Sequence, residues 1–151
     1  MTTNTQTKST APENFPIKIE IRIDWADTDF FGHVNNLAVM RYVQSARVLA
    51  IEESGLMQLH KEKNMAPILA QTSCRFIKQL FYPGTIVVCS RVDKIKTTSF
   101  QINHFIVDPA GEVVAEAQDV LVLVNFAQNA KTPIPTFFRE KLVELGGESI
   151  V

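Results

Sequence analysis

A chain of 151 residues is long enough to bury a substantial core and short enough to be one domain. A hydrophobic fraction of 46% with 21% charged residues is ordinary for a soluble globular protein, and a net charge of −1 gives no electrostatic basis for binding nucleic acid or an anionic membrane. No apolar run approaches the roughly 20 residues that span a bilayer.

The polar start, M-T-T-N-T-Q-T-K-S-T-A-P-E-N, lacks the apolar stretch of a secretory leader. Residues 1–14 are expected to be a disordered tail, and residues 15–151 a single domain. Cys74 and Cys89 lie in apolar, strand-like stretches and are expected to be buried free thiols of a reducing, cytoplasmic protein.

Ile17 to Trp25 reads I-K-I-E-I-R-I-D-W, an unbroken alternation of apolar and charged residues. That is the period of a strand with one face buried and one wet. A polar run follows, with three aspartates, a histidine and two asparagines grouped about Gly32, which allows a sharp turn. Asn35 or Asn36 is suited to cap the helix that comes next. From Leu37 to Ile51 apolar residues cover most of the helix circumference, with Arg41, Gln44, Ser45 and Arg47 as the polar exceptions. Such a helix requires cover on nearly all sides. Gly55 is its expected stop, giving about 18 residues and roughly 27 Å.

Leu56 to Ala66 reads as a polar connection with at most a short helical turn. A second strand places Ile68, Ala70, Thr72, Cys74 and Phe76 on one face and breaks at Tyr82-Pro83-Gly84. Ile86, Val88, Ser90 and Val92 share one face of a third. The fourth, Phe100 to Val107, changes phase near His104-Phe105, which suggests a bulge. Asp108-Pro109-Ala110-Gly111 is a turn, and the fifth strand runs from Val113 to Phe126. Thr136 to Leu145 reads as a short, peripheral amphipathic helix. Strands joined by short turns are antiparallel. The expected fold is therefore α+β: a five-stranded antiparallel sheet wrapped around one long central helix.

The run W-A-D-T-D-F-F-G-H-V-N-N, closing a strand and opening such a helix, resembles the signature of hotdog-fold thioesterases of the 4-hydroxybenzoyl-CoA thioesterase and YbgC-like branch. F-I-K-Q-L-F-Y-P-G-T-I-V-V is similar to that family's second strand, Pro-Gly turn and third strand. His33-Val34-Asn35-Asn36 is also similar to the H-V-N-N of plant acyl-ACP thioesterases, which carry an asparagine where Phe31 stands here. Gln44-Ser45-Ala46-Arg47 replaces a helix-borne Glu-x-x-Arg pattern, and Ala38-Val39-Met40 replaces an aromatic.

The resemblance implies hydrolysis of an acyl-CoA thioester without cofactor or metal. It puts Asp29 on the catalytic carboxylate, Gly32 on the turn glycine, and the N–H of Asn36 where the thioester carbonyl is polarised. His33 is implied as a positioning residue or a second catalytic group. Asp27 and Asn35 either contact substrate or serve the turn and the helix cap, and the apolar start of the helix, with Val39, Met40 and Val43, favours a fatty or other apolar acyl group as substrate. It further implies a homodimer, or a homotetramer of such dimers, with sheets paired edge to edge. An acyl-ACP substrate, or a non-catalytic acyl-CoA-binding module, are the alternatives.

The chemistry is suited to these residues. A thiol leaving group has a pKa of roughly 8.5, so no strong acid need protonate it. A carboxylate can act as general base or as nucleophile. N–H groups at a helix start can stabilise the oxyanion. Asp27, Asp29 and His33 alone make too sparse a set for a metal site. Arg41 and Arg47 are expected to be solvated, paired with carboxylates, or in contact with CoA phosphates. His60 and His104 fall in no chemical pattern.

Overall fold

The computed structural model describes residues 13–150, so most of the expected tail lies outside the described residues. The chain forms β1 (Ile17–Arg22), a 3-10 turn (Trp25–Asp27), α1 (Asn36–Glu53), α2 (Leu56–Lys63) and β2 (Met65–Phe76). It continues through β3 (Thr85–Ile95), β4 (Ser99–Val107), β5 (Val113–Asn125), β6 (Ala130–Lys131), α3 (Thr136–Glu144) and β7 (Glu148–Ser149). The five long strands pair antiparallel in the order β1-β3-β4-β5-β2. The two-residue strands β6 and β7 extend the sheet beside β5 and β3.

The order explains why the helix is central. β1 and β2 are consecutive strands yet occupy opposite edges, so α1 and α2 carry the chain across the whole sheet. The strands curl about α1, whose Ala38, Val39, Tyr42, Val43, Ala46 and Ala50 are buried against Ile86, Val88, Ile106 and Ala115 among others. This is the hotdog architecture. Each fully buried Val or Leu contributes about 1.5–3 kcal/mol, so this stripe alone fixes the helix to the sheet.

Four local expectations change. α1 is not covered all round: Leu37 and Val48 are exposed, because the sheet wraps only one side. Leu56–Lys63 is a full helix, with Leu56 and Leu59 buried in the second core cluster. α3 is not peripheral, since Phe138 and Leu142 close that same cluster with Phe100 and Ile95. The fourth strand has no bulge at His104-Phe105: both pair in register with Ser90 and Cys89. The histidine keeps the inward phase because polar partners await it there.

Register shifts occur instead at Val92/Ile95, at Ile106/Val107 and, most consequentially, at Leu69/Gln71. The last places Ala70 in a bulge and resets the phase of β2. Thr72, Cys74 and Phe76 then oppose Asp119, Ala117 and Ala115, all helix-facing, while Ile68 falls on the other face. The cysteines are free thiols, Cys89 buried and Cys74 half-buried.

Candidate active site

The polar run before α1 is ordered by its own side chains. Asp24 caps the 3-10 turn by accepting from the Ala26 N–H at 2.8 Å, and Asp27 returns the contact by accepting from the Asp24 N–H at 3.2 Å. Asp27 is buried; it accepts from the Tyr42 hydroxyl at 2.7 Å and pairs with Arg41, both on α1. Burial pushes the Tyr42 hydroxyl well above its ordinary pKa, and the bond to Asp27 adds to the shift, so it stays a donor. The Asn35 N–H donates to the Asp27 carbonyl at 2.9 Å. Asp27 is thus the clamp between loop and helix.

Asp29 builds the next turn. Its Oδ1 accepts from the N–H groups of Phe31 (2.9 Å) and His33 (3.1 Å), and its own N–H donates to the His33 carbonyl at 2.7 Å. Gly32, at φ +78°, supplies the left-handed residue this reversal requires. Asp29 is exposed, and its Oδ2 has no partner among the described residues. His33 is half-buried, with its ring 5.1 Å from that of Phe81 and 6.4 Å from that of Phe31. Phe30, Phe31 and Phe81 form an exposed aromatic rim beside it.

Asn35 is the N-cap of α1: its side chain accepts from the Ala38 N–H at 2.8 Å. The N–H groups of Asn36 and Leu37 lack an acceptor among the described residues, as the first turn of any helix leaves them. Asn36 also lines a cavity of about 200 Å³ with Val34, Val39, Phe76, Leu80, Val114 and Ala115. Its walls are mostly apolar, with Asn36, Lys78 and Gln79 as the polar members, and Asn36 brings the helix start to it.

Of the residues singled out from sequence, Asn36 and Val39 line this cavity. Asp29, Gly32 and His33 stand on the loop just before it. Asp27 and Asn35 are committed to holding the loop and the helix, and Met40 is half-buried outside the lining. Arg41 and Arg47 both meet carboxylates, Asp27 and Asp119. No group of three or more His, Cys, Asp or Glu among the described residues is placed to hold a metal ion.

One cluster was missed. Asp119 Oδ2 meets Arg47 Nη1 and His104 Nε2, each at 2.9 Å, and His104 Nδ1 lies 2.6 Å from the Ser90 hydroxyl. Ser90, His104 and Asp119 are completely buried. Burial opposes the charge on Asp119, but the hydrogen bond and charge of His104, with bonds from Thr72 and Arg47, outweigh it and hold the carboxyl below its ordinary range. The available signal was a polar residue at an inward position in each of three strands: Ser90 after Ile86 and Val88, His104 after Phe100 and Ile102, Asp119 after Ala115 and Ala117.

Two relatives and one solved structure bear on the family. The long-chain acyl-CoA thioesterase FadM of Escherichia coli is 21% identical over 130 residues, 85% of this chain and 98% of FadM. The 1,4-dihydroxy-2-naphthoyl-CoA hydrolase of Thermosynechococcus vestitus is 24% identical over 115 residues, covering 75% of this chain and 79% of that one. A Thermus thermophilus thioesterase solved with coenzyme A and zinc superposes with a TM-score of 0.74 at 22% identity, over 85% of this chain and 98% of its own. The family model of the thioesterase-like superfamily matches residues 23–142, most of the sheet and all of α1 included. The chain belongs to the thioesterase-like superfamily.

Proposed function

We propose that this thioester hydrolase acts on acyl-CoA, with the thioester carbonyl at the start of α1 and Asp29 as general base. The observation that carries the reading is the unpaired Asn36 N–H at an apolar cavity, one turn of chain after a carboxylate held by two backbone N–H groups. The acyl group enters the cavity, and its carbonyl oxygen accepts from the Asn36 N–H at the positive end of the helix dipole. The free Oδ2 of Asp29 takes a proton from water, and the hydroxide so formed adds to the carbonyl carbon. Negative charge collects on the oxygen bonded to Asn36, where a preorganised donor is worth about 100- to 1000-fold in rate. The intermediate collapses with loss of the CoA thiolate, which takes up the proton. His33 orients the substrate beside Phe31 and Phe81.

Similarity to proteins named as acyl-CoA hydrolases, and to a structure solved with coenzyme A, supports the choice of carrier. The active unit is a homodimer. β2 is a 12-residue edge strand that leaves Ile68, Leu69 and Phe76 exposed, and such an edge invites pairing with a second copy. Steady-state hydrolysis of short, long and aromatic acyl-CoAs by wild type and Asp29→Asn tests the proposal. Turnover abolished by the substitution in a folded protein supports it. Saturable binding without turnover, unaffected by the substitution, would instead make this a binding module. Single turnover in ¹⁸O water separates base from nucleophile, because only a nucleophilic Asp29 would acquire the label.

A further inference from the structure

We propose that the cavity between Arg22, Trp25 and Tyr82 receives the adenine nucleotide at the far end of coenzyme A. The inference rests on the acyl-CoA reading above and names where that carrier is held. The cavity is about 400 Å³, larger than the acyl cavity, and is lined by Arg22, Ile23, Asp24, Trp25 and Tyr82. That volume is within the usual range of small-molecule sites, about 300–1,000 Å³. Two aromatic rings stand open at it, Trp25 at 73% and Tyr82 at 42% exposure. Neither packs on another ring among the described residues. A base stacks on such a ring because every base has a π-face.

The charges in the cavity match the two ends of a nucleotide. Every other arginine gives its guanidinium to a protein acceptor: Arg41, Arg47 and Arg75 to carboxylates, Arg91 and Arg139 to backbone carbonyls. Arg22 is exposed and has no such partner among the described residues. Its planar fork is left for a phosphate. Asp24 accepts from the Ala26 N–H through Oδ1, and its Oδ2 has no partner among the described residues. A carboxylate oxygen repels phosphate but accepts from the exocyclic amine of adenine. The base therefore belongs beside Asp24 and Trp25, and a phosphate beside Arg22.

Backbone pairing sets the reach. The Val34 N–H donates to the Leu80 carbonyl at 2.9 Å, His33 bridges to Phe81, and the Ile23 N–H donates to the Gly84 carbonyl at 2.9 Å. The run from Leu80 to Gly84 thus joins the acyl cavity, which Leu80 lines, to the second cavity, which Tyr82 lines. Leu80 and Tyr82 are about 7 Å apart along the chain, with the His33–Phe81 contact between them. The pantetheine arm of coenzyme A is about 15 Å when extended, the length of four to five peptide units. It can cross that rim with its sulfur at Asn36 and its nucleotide at Trp25.

The test uses the full chain and two thioesters of one acyl group: acyl-CoA, and acyl-pantetheine, which lacks the nucleotide. Wild type should have the higher kcat/KM on acyl-CoA. Trp25→Ala should lower that preference by about 5- to 150-fold, the range of one base stack, through KM rather than kcat. Arg22→Ala should lower it by at least about tenfold, the loss of one charge-assisted bond. Trp25 is the chain's one tryptophan, so adenosine 3′,5′-bisphosphate should quench wild-type fluorescence saturably, with no substitution needed. Absence of quenching, or folded variants that slow both thioesters alike, would overturn the subsite. Quenching with an unchanged preference would overturn the link to coenzyme A, the cavity then taking a free adenine nucleotide. Quenching without turnover of either thioester would overturn the proposed function and leave the subsite standing.

Discussion

Two polar regions of this protein are built on opposite plans. The loop from Asp24 to Asn36 gathers its polar groups from one short segment and spends them largely on its own backbone: Asp24 and Asp27 cap one turn, Asp29 the next, and Asn35 the helix. Arg47, Ser90, His104 and Asp119 come from four elements, lie within the core, and bond to one another. The first plan leaves one carboxylate oxygen and two helix N–H groups without a partner among the described residues, at the surface. The second leaves nothing free for solvent. A polar cluster made within one segment can afford unused valences because water satisfies them. In a cluster within the core each unused valence is costly, as at the buried Asp119 Oδ1, which has no hydrogen-bond partner among the described residues, since an unpaired buried group costs the full desolvation of that group.

The contrast is sharpest in the response to removing a single carboxylate. Asp29→Asn should lower kcat on acyl-CoA by about 10²- to 10⁴-fold, the usual contribution of a general base. Its thermal midpoint should stay close to wild type, because an amide oxygen can still accept from Phe31 and His33. A loss of stability as large as the loss of rate would mean that the turn, not the chemistry, needs Asp29. Asp119→Ala should do the reverse. It strands a buried guanidinium and an imidazole, at about 3–5 kcal/mol of stability by urea unfolding. A cost below about 1 kcal/mol would show that the buried cluster contributes no more than a surface pair does.

Acid should separate the same two regions. The Asp119 carboxyl is held below its ordinary value in the folded state, so its contribution is fully present above about pH 4, the unfolded range of an aspartate. That contribution is lost as the pH falls through the lower, folded value. Between about pH 4 and pH 2, unfolding free energy should fall more steeply in wild type than in Asp119→Asn, by up to about 1.4 kcal/mol per pH unit. Parallel profiles would contradict the assignment. The smallest effect is expected at the helix cap: Asn35→Ala removes the bond to the Ala38 N–H and should cost about 1 kcal/mol. Some loss of kcat should accompany it, since the Asn36 donor sits at the next residue; an unchanged kcat would detach the helix start from the reaction.

Much of the site was legible because it is local. A strand in strict alternation, a glycine between aspartates and an asparagine pair before a helix each report a backbone conformation within a few residues. The turn at Gly32 and the helix cap at Asn35 could therefore be read from the residues themselves. The five long strands and the 18-residue helix were legible for the same reason: hydrophobic period is a short-range property. The errors fell where distant segments decide. The bulge at Ala70 exists because β2 must register with β5, and nothing in the alternation of β2 itself announces it. α3 carries a weak apolar stripe, and only the open end of the core under Ile95 and Phe100 makes Phe138 and Leu142 part of that core.

What the sequence determined by itself, then, was the kind of elements, the turn chemistry before α1 and the cap that leaves the Asn36 N–H free. Each follows from torsional preferences and hydrogen bonds within one turn of chain. Tertiary structure alone decided that β1 and β2 stand at opposite edges, that Asp27 locks to α1 rather than facing the cavity, and that Ser90, His104 and Asp119 join Arg47. Those three strand residues are separated by up to 29 positions, 90 to 119, and each looks like an isolated polar intrusion in an apolar face. Their bonds form only when sheet pairing brings them to adjacent rungs, and only then does burying them become favourable.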